Sequence, residues 1–177
     1  APPILVPLSP RSYMILPSNA FGDRDLKRPQ RQKGEAPMTA IRSADTEEAR
    51  SAAARLAEAR SLLTDPGKGE FFDALFASAL SEEVLSVRPV RLVALAEALH
   101  EEVARHQKGG IDVVLLDDDE TRETVLVGIN DDRPFLFDSA LQAALAHGAR
   151  IRAAFHPIIT VKGQRTSVIA LICNTIA

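Results

Sequence analysis

The stretch from Thr124 to Lys162 constrains the fold of this chain more than any other. Thr124 to Asn130 (TVLVGIN) is a short, β-branched apolar run. Asp131-Asp132-Arg133-Pro134 is a charged turn, and proline suits the first turn of the helix that follows. From there to His147 the apolar positions recur at helical spacing, and Gly148 stands where a C-terminal cap glycine belongs. Ala149 to Val161 alternates as a second strand. Pro157 interrupts it, which predicts an edge position or a bulge. Gly163-Gln164 turns the chain into a last strand, Thr166 to Cys173. The order is strand, helix, strand, strand.

Upstream, Ile111 to Leu116 reads as a further strand joined to Thr121–Asn130 by the acidic cluster Asp117-Asp118-Asp119-Glu120. That cluster lacks the alternating ligands, central glycine and distal glutamate of an EF-hand loop, and it reads as a solvated hairpin tip. Before it come helices. Asp45 to Leu63 has Asp45 as its expected cap and Glu48 completing a capping box, over a stripe made mostly of alanine. A helix of that kind is expected to be peripheral or to pair with a copy of itself. Gly69 to Ala79 concentrates Phe71, Phe72 and Phe76 as packing residues, and Ser81 to Leu85 is a capped turn. Pro89 to His106 has Leu92, Leu95, Ala96, Leu99, Val103 and His106 along its buried stripe. Glu97, Glu101, Glu102 and Arg105 fall on its solvated face, with His100 and His106 at surface or edge positions.

Residues 1–37 hold Pro2, Pro3, Pro7, Pro10, Pro17, Pro29 and Pro37, seven of the eleven prolines. A regular element is not expected there, although the segment could lie extended against a neighbour. Three divisions follow: 1–40 as a proline-rich extension or linker, 41–108 as a helical segment, and 109–177 as an α/β module.

Composition narrows the function. Hydrophobic residues make up 46%, enough for a core. Six Lys/Arg against three Asp/Glu in residues 1–37 give +3, and fifteen against twenty-one in the rest give −6. An acidic body disfavours nucleic acid as a partner. No apolar run reaches the length of a membrane span. The lone Cys173 cannot form an internal disulfide and reads as a buried strand residue, with the cytoplasm as the expected compartment. No metal set and no catalytic set is evident; His156 stands without a paired carboxylate or second histidine and reads as a structural hydrogen-bonding residue.

The run Asn130-Asp131-Asp132-Arg133-Pro134-Phe135-Leu136-Phe137-Asp138-Ser139, followed after Gly148 by His156-Pro157-Ile158-Ile159, resembles the amino-terminal ACT-like region of the large bacterial NAD-specific glutamate dehydrogenases. The resemblance covers about residues 70–173. It implies an α+β fold: N-terminal helices, then an incomplete ferredoxin-like β-α-β-β antiparallel sheet with a hairpin strand in front. It also implies a regulatory and assembly module of a large cytoplasmic homo-oligomer, whose full-length form oxidises glutamate with NAD. The chain carries no G-x-G-x-x-G after a strand, so no cofactor is expected in it, and the isolated chain is expected to be inactive.

By the same resemblance, Asn130, Asp131, Asp132, Arg133 and Phe135 mark the turn where ACT domains receive a small amino acid, while Pro134, Asp138, Ser139, Gly148, His156 and Pro157 carry the structural motif. Many ligand-binding ACT domains have glycine where Phe135 stands. The competing expectation is that Phe135 enters the core and that Asp131 or Asp132 caps the helix. The alternative to a module of a larger enzyme is a free-standing amino-acid-binding or oligomerisation domain. A self-contained enzyme built on His156, Asp131 and Asp132 is the reading from another class. The final helix and strand of the ACT-like unit are absent from the β-α-β-β order, so either the chain is an excised or truncated piece or a partner completes the sheet.

Overall fold

A computed structural model describes residues 9–16, 38–118, 121–132, 135–161 and 163–174, with side chains from residue 46 onward. Strand β1 (Ser9–Leu16) precedes helices α1 (Met38–Ser61), α2 (Pro66–Phe76), α3 (Ser81–Ser86) and α4 (Pro89–Arg105). The hairpin β2 (Ile111–Asp118) and β3 (Glu123–Asp131) leads into α5 (Leu136–Ala146). Strands β4 (Ile151–Phe155), β5 (Ile158–Val161) and β6 (Gln164–Asn174) follow.

All pairings are antiparallel, in the order β1-β2-β3-β6-β4, with β5 also on β6. The class is α+β, as the sequence implies. The last strand is central, and β4 and β5 are two halves of one edge strand, broken at His156-Pro157. Proline has no N–H for a ladder, and that is the reason for the break. The position beside β3 is not empty: β2 takes it. The expected hairpin strand therefore lies where the missing final strand, or a partner, would complete the sheet. A regular element also exists within residues 1–37, because β1 pairs along β2 with a register shift next to Pro10. An edge strand tolerates proline there.

Two helical layers sandwich the sheet. Val125, Val127 and Ile129 of β3 and Val168, Ala170 and Ile172 of β6 face α1–α4, in one core with Phe72, Leu75, Leu92, Leu95 and Leu99. The alternate residues Leu126, Ile169, Leu171 and Cys173 face α5. This is the period-two alternation of a sheet covered on both faces. In β4 a register shift between Ile151 and Ala153 moves Ile151 to the α5 side and Ala153 to the other, leaving Arg152 at the irregularity. The helical segment and the sheet thus share a core.

Several local expectations change. Helix α1 begins at Met38, so Asp45 lies within it and not at its cap; no glycine or proline separates Met38 from Asp45. Asp65 does more than end a helix: its carboxylate accepts the N–H groups of Gly67 (2.8 Å) and Lys68 (3.2 Å) and so starts α2. Glu102 is buried, not solvated, and the His106 side chain is 5% exposed. Glu102 meets Arg105 at 2.7 Å, and His106 Nδ1 meets Asp112 at 2.6 Å. Asp118, assigned to a solvated hairpin tip, forms a buried ion pair with Arg91 of α4. A carboxylate at the tip is held inside because a guanidinium reaches it there. Asp119 and Glu120 lie outside the described residues.

Candidate functional site

The turn from β3 to α5 brings several of the expected residues together. Asn130 ends the buried part of β3 on the α5 side of the sheet and is 4% exposed. Neither its Oδ1 nor its Nδ2 has a hydrogen-bond partner. A buried amide left unsatisfied costs about 1–3 kcal/mol. Across the ladder from Asn130 sits Ser167 of β6, on the same face. Its Oγ lies 3.0 Å from Nε2 of His156, in the break between β4 and β5. The imidazole in turn stacks on Phe137 in the first turn of α5.

The two aspartates do not cap α5. Asp131 accepts a hydrogen bond from Gln164 Nε2, and Asp132 pairs with Arg165 at 2.8 Å while its N–H donates to the Arg165 carbonyl. Both are held by the first two residues of β6, which reach them because β6 lies next to β3. The N-cap is Phe135, with no side-chain cap. Phe135 does not enter the core: it is 75% exposed and left-handed, with φ +66°. A residue with a bulky side chain adopts that conformation at a cost. The ring therefore turns outward from the position in the core expected for it. Arg133 and Pro134 lie outside the described residues. Asp138 and Ser139 are exposed on α5, and Gly148, at φ +81°, ends the helix as expected.

Burial pushes the pKa of His156 down, against the opposing pull of Asp132 and Asp138. Burial raises the Cys173 thiol, with Glu123 adding to it, and its Sγ donates to the Thr124 carbonyl at 3.3 Å. A raised thiol buried at 0% exposure is a packing residue. Ser167 and His156 have the contact of a nucleophile and a base, but Ser167 is 1% exposed and closed to a substrate. What the turn holds is a buried amide donor and acceptor without a partner among the described residues, ahead of a helix N-terminus without a side-chain cap. Ser167, Gln164 and Arg165 escaped the sequence reading. Only the sheet order, with β6 beside β3, reveals them.

The family profile described as glutamate dehydrogenase, ACT1 domain, matches residues 71–174, more than half of the chain. The chain belongs to this family. The ACT1 span covers the second half of α2, all of α3–α5 and strands β2–β6, and so reaches both faces of the sheet without α1 and β1. No curated protein and no solved structure matches the chain significantly. Among the described residues of the ACT1 domain, no group of histidine, cysteine and carboxylates is placed to hold a metal ion, and no helix is long and apolar enough to cross a membrane.

Proposed function

We propose that this chain acts as a regulatory and assembly module within a large, NAD-linked, cytoplasmic glutamate dehydrogenase. The observation that carries the reading is the ACT1 family match over 71–174, the span that supplies β2–β6 and the helices α3–α5. The work of such a module is self-association. Phe135, Leu145 and Ile158 support it: all three are large, apolar and exposed, and they sit on α5, at its N-cap or on the α5 face of β5. Exposed apolar side chains grouped on one layer favour a protein contact. NAD and glutamate belong to the catalytic part of the enzyme. Incubated with both, the 177-residue chain is expected to form no NADH; formation of NADH would favour a self-contained enzyme.

A second reading, amino-acid sensing at the turn, is favoured by the unpaired Asn130 amide. It predicts stabilisation of about 2.7 kcal/mol at a hundredfold excess of ligand over its dissociation constant. A thermal-shift screen with the twenty amino acids tests it. An Asn130→Leu variant should lose any response while remaining folded, since leucine leaves no buried amide unsatisfied.

A further inference from the structure

Glu83 links the short helix α3 to the open side of the sheet. One of its carboxylate oxygens accepts the Leu80 N–H at 3.2 Å, and the other accepts the Ala154 N–H of edge strand β4 at 3.3 Å. Both bonds are long and both donors are neutral. Among the described residues no cation pairs with this half-buried carboxylate. Arg152, two residues along β4, is engaged instead by Glu123 in a bidentate pair at 2.6 and 2.5 Å and by the Ser86 carbonyl. A partly buried carboxylate of this kind keeps spare acceptor capacity, since it has about four lone-pair sites and uses two.

The carboxylate faces a cavity. About 250 Å³ opens between the α2–α3 connection, the end of β4 and the start of α5. Leu75, Leu80, Phe137 and Phe155 wall it, and His156 and Glu83 are its titratable groups. Burial keeps His156 from taking a proton readily, so it brings no positive charge to offset Glu83. The volume lies just below the roughly 300–1,000 Å³ of drug-sized sites and suits a molecule of amino-acid size. An anion without a counter-ion, set in an apolar wall, selects a cation with an apolar body.

We propose that this cavity binds a small ammonium compound with an apolar body, anchored by the Glu83 carboxylate. The ammonium donates to Glu83, and the apolar body lies among Leu75, Leu80, Phe137 and Phe155. Because Glu83 also holds the β4 edge and the start of α3, an occupant would tighten α3 on the sheet. Asn130 does not line this cavity, although Phe137 and His156 border both it and the turn.

The test is an NMR titration of the 177-residue chain with isobutylammonium chloride, run beside sodium isobutyrate. Saturable shifts of the Leu80, Ala154 and His156 amides are expected with isobutylammonium and not with isobutyrate. Glu83→Gln keeps the shape but removes the charge, and should weaken binding roughly tenfold or more. Ala79→Leu fills the cavity without touching the carboxylate and should also abolish the response; it carries the test if Glu83→Gln loses its spectral dispersion. Shifts that never saturate, that isobutyrate reproduces, or that survive Ala79→Leu would overturn the proposal.

Discussion

The imidazole of His156 lies flat on the ring of Phe137, with centroids 4.8 Å apart and planes within 4° of each other. This contact ties the break between β4 and β5 to the first turn of α5, while Nε2 holds Ser167 of the central strand. One residue thus joins three elements, and burial favours its neutral form.

That neutrality gives a pH dependence. Burial lowers the folded-state pKa of His156 below the ordinary 6.5, with Asp132 and Asp138 opposing. Between the folded and ordinary values the unfolded chain binds the proton more readily, so stability rises with pH there. The His156 contribution is complete above pH about 6.5 and is lost as the pH falls below it toward the lower folded value. Thermal midpoints measured across this window should fall on acidification for the wild type and fall less for His156→Gln. Equal slopes for the two proteins would contradict this.

Arg152 should be a structural tie at the sheet edge. It joins Glu123 of β3 to the Ser86 carbonyl at the end of α3. The side chain is 35% exposed, so solvent screening reduces the value of the pair. Arg152→Ala is expected to cost about 1–2 kcal/mol by urea unfolding. Arg152→Lys should recover only part, because lysine cannot make the bidentate contact.

The buried pair Arg91–Asp118 behaves differently. Their side chains are 9% and 8% exposed. Asp118→Ala leaves a buried guanidinium without this partner and is expected to cost about 3–5 kcal/mol. The double variant Arg91→Met, Asp118→Leu should be much less destabilised than Asp118→Ala. A double-mutant cycle read by chemical denaturation measures both.

Phe135 is predicted to be unfavourable to the isolated fold. Its left-handed backbone is strained and its ring is 75% exposed, so little burial offsets the strain. Phe135→Asn, a residue that tolerates φ above zero, should raise stability by about 0.5–1 kcal/mol. If the ring serves assembly, the same variant should weaken self-association. Stability and mass should move in opposite directions.

These particulars show how far the sequence could be read. The alternation of Val125, Val127 and Ile129 and the helical spacing of Leu92, Leu95 and Leu99 locate β3 and α4, because burial on one face leaves a periodic trace. Pro157 and Gly148 mark the broken edge strand and the end of α5 for equally local reasons. Local pattern could not give the side of β3 on which β2 would lie, or that α5 and the other helices cover opposite faces. Those are outcomes of sheet order. The site was half legible for the same reason. Asn130, Asp131 and Asp132 are contiguous in the chain, whereas Ser167, Gln164 and Arg165 reach them only through the β3–β6 pairing. The outward turn of Phe135 could not be foreseen, since an apolar aromatic at a helix start ordinarily turns inward.

The most direct test of the assembly reading is the mass of the 177-residue chain in solution by light scattering, measured for the wild type and for Phe135→Asn. The account predicts a dimer or larger species for the wild type and a shift toward monomer for the variant. A wild-type monomer at all concentrations would contradict it.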